Sequence, residues 1–135
     1  MAIQLSTSVR NARLDAIESQ IGTSPILKIR SGSVPASCAT ADAGTVLAAL
    51  TLPSDWMAAA SGGSKAKSGT WEDASADAAG TAAHFRIYDS TGTTCHLQGT
   101  VTITGGGGDL TLDNTNIAVG QDVIITGFTL TDGNS

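Results

Sequence analysis

From residue 83 onward the chain alternates apolar and polar residues: AHFRIYD, then TCHLQGTVTIT, and after four glycines LTLDN and DVIITGFTLT. A period of two sends successive side chains to opposite faces of an extended chain, so each run reads as a strand with one face buried. The same period appears in ILKIRSG, where Leu27 and Ile29 point one way and Lys28 and Arg30 the other. TVLAALTLP reads as a further strand, closed by Pro53. Asp89 to Gly92 is a turn signal, so residues 83 to 104 are predicted to form a β-hairpin. The spacing predicts roughly seven or eight strands, none separated from the next by a crossover helix. That pattern specifies a mainly β fold, an antiparallel β-sandwich or jelly roll.

One segment departs from the period. In STSVRNARLDAIESQI, residues 6 to 21, Val9, Ala12, Ala16 and Ile17 recur at three and four, and Leu14 and Ile21 extend the stripe. Ser6 or Thr7 can cap the start, Gly22 sits where a left-handed cap ends a helix, and Pro25 prevents continuation. The reading is a single domain over residues 1–135: a short N-terminal α-helix over 6–22 and a β-sandwich over 26–131. Its predicted core is Leu27, Ile29, Phe85, Ile87, Leu97, Val101, Ile103 and Phe128. Aromatic residues make up only 4% of the chain. A thin core of small aliphatic residues suits closely spaced sheets better than a deep ligand cavity.

The connecting segments are read by composition. SVPASCATADAG and EDASADAAG are loops, and SDWMAAASGG is a turn or short helical turn. Lys65 to Trp71 is an exposed strand whose lysines guard a sheet edge. In TNIAVGQ, Ile117 and Val119 plug the end of the core. A bulge near Gly127 restores the phase of Phe128 and Leu130.

The formal net charge is −5. The basic pairs Arg10 and Arg13, Lys28 and Arg30, and Lys65 and Lys67 read as solvated faces, which argues against a nucleic-acid partner. No apolar run reaches the roughly 18 residues of a transmembrane helix, so no membrane partner is expected. The first residues lack a basic start followed by an apolar core, so no signal peptide is expected and synthesis is placed in the cytoplasm. Cys38 and Cys95 can pair only if they meet in space. The cytoplasm disfavours that, so buried free thiols are expected.

Five kinds of chemistry have candidate residues in the chain. A phosphate loop needs a Lys and a hydroxyl residue after its last glycine, whereas GGGG here leads into Asp109-Leu110-Thr111. Asp109, Asp113, Asn114 and Asn116 could hold a cation, but turn chemistry accounts for them better. A zinc site would have to draw on Cys38, His84, Cys95 and His96. Cys95 and His96 are adjacent on one strand and point to opposite faces, and His84 faces away from the core if Phe85 lies inside. Catalysis could draw on His84 or His96, or on Glu72, Asp73 and Asp77, but these acids lie in a small-residue loop and no nucleophile elbow occurs. Trp56 and Trp71 could stack a sugar; core filling or a subunit contact accounts for them better. The expectation is therefore no enzyme, with no catalytic, cofactor-binding or metal residues and no cofactor.

The order of segments carries a resemblance. SVRNARLDAIESQIGTSPILKIRSGSVPASCATADAGTVLAALTLPSDWM, then AAASGGSKAKSGTW and GTAAHFRIYDSTGTTCHLQGTV, resembles a family of short structural proteins of tailed bacteriophages and prophages. The likeness spans most of the chain and contains no catalytic motif. Proteins of this kind include head decoration, or cement, proteins: small β-sandwich or jelly-roll subunits on the outer capsid. The resemblance implies a virion protein on the head exterior, made in the host cytoplasm. Its implied partners are the major capsid protein and further copies of itself, as a homodimer or homotrimer. Tail, neck or fibre-associated components are the alternative place in the virion, and a carbohydrate-binding module is the alternative class. For a decoration role, residues 31 to 44 and 61 to 80 have the composition of polar segments that order on contact.

Overall fold

The structure is a computed structural model that describes residues 3 to 133. One helix, α1 (Thr7–Ile21), precedes the strands β1 (Ile26–Arg30), β2 (Val46–Thr51), β3 (Ser64–Ala66), β4 (Trp71–Asp73), β5 (Gly80–Thr81), β6 (His84–Tyr88), β7 (Cys95–Ile103), β8 (Leu110–Leu112), β9 (Asn116–Ile117), β10 (Val123–Ile125) and β11 (Thr129–Thr131). A five-stranded sheet runs β2-β1-β6-β7-β8, and three two-stranded ribbons pair β4 with β10, β3 with β11 and β5 with β9. The chain is mainly β and sandwich-like, with one short helix. β6 and β7 form the expected hairpin.

The period-two reading becomes cross-strand packing. Leu27 lies opposite Leu50 on one neighbour and Ile87 on the other; Ile29 lies opposite Ala48 and Phe85. These six side chains share the inner face, where burial of each large one is worth about 1.5–3 kcal/mol. The ribbons and their connections complete the core with Trp56, Met57, Trp71, Ile125 and Phe128. Phe85 meets Phe128 edge-on at 5.7 Å; Phe128 meets Trp71 at 5.5 Å, and Trp71 meets Trp56 at 6.0 Å. Four of the chain's five aromatic side chains thus form one line from the sheet into the ribbons. The core is not simply a thin aliphatic layer: its few aromatics are concentrated at its centre.

Several expected details differ. Leu27, Ile29, Phe85, Ile87, Val101 and Phe128 are buried and Leu97 is partly so, but Ile103 is 54% exposed. β6 begins opposite Thr100, so the last residues of β7 extend past it and Ile103 has no β6 neighbour to cover it. Ile117 does enter the core, whereas Val119 is exposed. The final segment is not one bulged strand. It breaks between β10 and β11, which pair with different partners. Lys65 to Trp71 likewise divides between β3 and β4, and the alanines before it are not helical: Ala58 N–H donates to Ala66 O and Ala60 N–H to Asp15 Oδ1.

Helix α1 starts where expected, with Ser6 accepting from Val9 N–H, and ends at Gly22, whose φ is 92°. Its buried face is different from the predicted stripe. Val9, Ala12 and Ala16 are exposed; Leu14 and Ile21 are buried, and Ile17 is half-buried. Polar anchors share that face. Asn11 Oδ1 accepts from Gly63 N–H, Arg10 donates to Asp132 O, and Asp15 and Glu18 each sit 2.7 Å from Lys65 Nζ. Lys65 is therefore no edge guard. Only 2% of its side chain is exposed, because the helix folds over β3 and brings two carboxylates to it. Burial works against its charge, but the bonds to Asp15 and Glu18 outweigh that and strengthen its hold on the proton.

β8 runs parallel to β7, the one parallel pairing among the described residues. Parallel neighbours usually need a connection of about a dozen residues or more. Here residues 104 to 109 suffice, because the four glycines permit a tight return. Gly105 and Gly107 have φ of 87° and 82°, the left-handed region that favours glycine. A Cβ on Gly106 or Gly108 would lie 2.8 Å from Thr102 Oγ1. Asp109 then ties the return by accepting from Thr100 N–H at 2.9 Å.

Candidate functional site

The side chains that carry chemistry converge on the outer face of the sheet. In β1 and β6 the alternation that points Leu27, Ile29, Phe85 and Ile87 inward points Arg30, His84, Arg86 and Tyr88 outward. That face is not solvated as expected. All five residues of β6 are buried, because residues 31 to 44 fold back across it. Arg86 is 2% exposed and its guanidinium is fully engaged. Nη1 bonds Asp42 Oδ1 at 2.7 Å, Nη2 bonds the carbonyls of Ser37 and Thr40 at 2.9 Å each, and Nε bonds Gln98 Oε1 at 3.1 Å. Arg30 Nη2 approaches the other Asp42 oxygen at 3.1 Å, and Tyr88 donates its hydroxyl to Asp42 at 2.6 Å. Gln98 Nε2 donates to Pro35 O at 2.7 Å.

One carboxylate therefore balances two buried guanidiniums. Burial pushes the Asp42 carboxyl up, but the bonds from Tyr88 and Arg86 and the charges of Arg30 and Arg86 outweigh it and hold it below the usual carboxylate range. Burial, then the bond to Asp42, pushes the Tyr88 hydroxyl above its ordinary range, so it keeps the proton it donates. His84 Nδ1 lies 2.7 Å from Gly32 O, and its buried Nε2 has no partner. The arrangement fastens a loop. Apart from His84 Nε2 and the buried Arg30 Nε, its donors and acceptors face one another, with the guanidiniums closed off from solvent.

Cys38 and Cys95 do meet: their sulfurs are 2.7 Å apart, both half-buried at the edge of this cluster and unlinked. Burial, then the neighbouring Cys38 thiol, pushes the Cys95 thiol up to about 12. His84 is not with them, and His96 faces a hollow beside Arg13, Ala16, Ile17, Gln20 and Ile21. Among the described residues no three His, Cys, Asp or Glu side chains are placed to hold a metal ion. Asp109, Asp113, Asn114 and Asn116 do not converge. Asp109 binds the backbone of β7, Asn114 accepts from Asn116 N–H, and Asn116 meets Thr81. Trp56 and Trp71 are fully buried and cannot present a face to a sugar. Their indole N–H groups donate to Gly22 O and Ser68 O.

Glu72 and Asp73 lie in β4 and not in a loop. Asp73 accepts from Ala49 N–H, while Glu72 shares a proton-favouring contact with Asp122. The bond to Asp122, then its charge, raises the Glu72 carboxyl. A raised native value means protonation favours the fold below the ordinary glutamate value, and this benefit is lost as pH rises through the native value. Replacing Glu72 by Gln is thus expected to raise the melting temperature at pH 7, with the gain vanishing below about pH 4. A melting series against pH checks this; an unchanged or lowered value at pH 7 would show that the two carboxylates do not repel.

The cluster around Asp42 was missed because its members lie in separate segments. The available signal was the pair of arginines on the same face of two strands, in LKIR and HFRIY. No protein-family model, curated protein or solved structure matches this chain.

Proposed function

We propose that the chain is a structural subunit of a tailed-phage virion, bound to the outside of the head and bridging neighbouring capsomers. The resemblance of its order of segments to small phage structural proteins carries this reading. The geometry supports it in one respect: the long polar segments are already part of a stiff scaffold. Residues 31 to 44 are fastened through Arg86, Asp42 and Gln98, and residues 61 to 66 through Asn11 and Lys65. A subunit that resists outward pressure has to transmit load without unravelling, and contacts repeated over many copies convert weak binding into firm attachment. The ordering expected only on contact with a partner is thus built into the subunit itself. Exposed Val9, Ile124 and Ile103 offer apolar points for such contacts. The acidic balance disfavours the DNA-filled interior.

Purified phage particles with and without the chain test the reading. Cryo-electron microscopy is expected to show density for it in many copies on the outer head, across capsomer boundaries. Heads lacking it are expected to keep their shape and to release DNA at a lower temperature. A few copies at the tail would replace this reading with a tail, neck or fibre component. Equal thermal resistance of the two kinds of head would remove the cementing role.

A further inference from the structure

We propose that Cys38 and Cys95 are an intramolecular disulfide site, and that their oxidation by a small-molecule disulfide locks residues 31 to 44 onto the outer face of the sheet. The observation is one of placement. Cys38 lies in a turn closed by Thr40 N–H donating to Ser37 O. Arg86 holds that turn from beneath through the carbonyls of Ser37 and Thr40, and Gln98 holds the chain ahead of it through Pro35 O. Cys95 lies on β7 opposite Tyr88, directly beside the irregularity at Ile87 and Tyr88. The side chains that fasten the loop therefore also aim one sulfur at the other, to 2.7 Å. Closing to an S–S bond of about 2.05 Å needs a movement of well under 1 Å. Two thiols far apart in sequence would rarely meet this closely in a loop free to wander. Here the effective concentration is set by the hydrogen bonds of Arg86 and Gln98 to the loop backbone.

The reaction balances with a disulfide such as oxidised glutathione. The Cys38 thiolate attacks one sulfur of the reagent and expels the first glutathione thiolate, leaving a mixed disulfide on Cys38. Cys95 then loses its proton to solvent and attacks the Cys38 sulfur, expelling the second glutathione thiolate. The protein loses two protons and two electrons; the reagent takes up two of each and becomes two thiols. Attack by Cys95 first and resolution by Cys38 balances in the same way. The bond would tie residues separated by 57 positions, so it restricts a large part of the unfolded chain.

The full chain is incubated with oxidised glutathione, or with dithiothreitol as the reduced control, then unfolded and alkylated. The expected oxidised product has no alkylated thiol, a mass lower by two hydrogens, and one linked peptide pair containing residues 38 and 95. Its melting temperature is expected to exceed that of the reduced chain by about 5–15 °C. Hydrogen exchange across 31 to 44 is expected to slow. C38S and C95S, each treated in the same way, are expected to show neither the link nor the shift. Two alkylated thiols after oxidation, glutathione retained on the protein, or covalent dimers in place of the internal link would each overturn the proposal. So would an internal link that leaves melting unchanged. Because the wild-type readout is independent of the serine variants, a variant that fails to fold does not blunt the test.

Discussion

Truncating Trp71 to alanine is expected to cost about 3–5 kcal/mol, the range for large aromatic residues removed from a packed core. Trp71 is fully buried and stands between Trp56 and Phe128, and Phe128 in turn meets Phe85 on the sheet. Removing it takes the middle from the line of rings that joins the two layers. It also removes the indole N–H that satisfies Ser68 O. Phe85→Ala falls in the same range but leaves the Trp56 and Trp71 contact intact. Equilibrium unfolding in urea measures both. A loss under about 1 kcal/mol for Trp71→Ala would mean that the ribbons pack on the sheet without it.

Replacing Asp42 by alanine is expected to cost about 2–3 kcal/mol. Breaking a fully buried ion pair costs about 3–5 kcal/mol because the surviving charge is stranded. The side chains of Arg30 and Arg86 are 7% and 2% exposed, but that of Asp42 is 44% exposed, so water can follow into the gap and lower the cost. The sign with pH is fixed by the depressed native value of Asp42. Its stabilising contribution is complete above the ordinary aspartate value, near about 4, and is lost as pH falls through the native value. Asp15, held down chiefly by its bond from Lys65, weakens in the same window. Acid unfolding of Asp42→Asn should therefore begin from lower stability and fall less steeply than wild type. Hydrogen exchange is expected to quicken first in residues 31 to 44. Uniform quickening across the molecule would show that Asp42 does not fasten that loop in particular.

The strands of the main sheet were legible because alternation is a local property with a direct spatial meaning. Leu27, Ile29, Phe85 and Ile87 could be assigned to the inner face from the chain alone. The turn at Asp89 to Gly92 and the caps of α1 were legible for the same reason, since they depend on a few neighbouring residues. The alternation could not show what covers the other face. A strand with arginine and histidine outward looks solvated until a distant loop lies on it. Arg30, Arg86 and Lys65 are buried because Asp42, Asp15 and Glu18 arrive from elsewhere in the chain. The face of α1 escaped for a related reason: Asn11, Asp15 and Glu18 pack inward as anchors, and a stripe drawn through apolar residues alone misses them.

By itself the sequence determined the mainly β class, the inner-face residues of β1 and β6 and the position of the helix, because each follows from spacing along the chain. The tertiary structure alone decided the parallel return through Gly105 to Gly108, the burial of the outer face, and the meeting of Cys38 with Cys95. Those depend on which segments lie against each other. Burial and the low dielectric it brings turn residues that would be solvated singly into partners that must be paired.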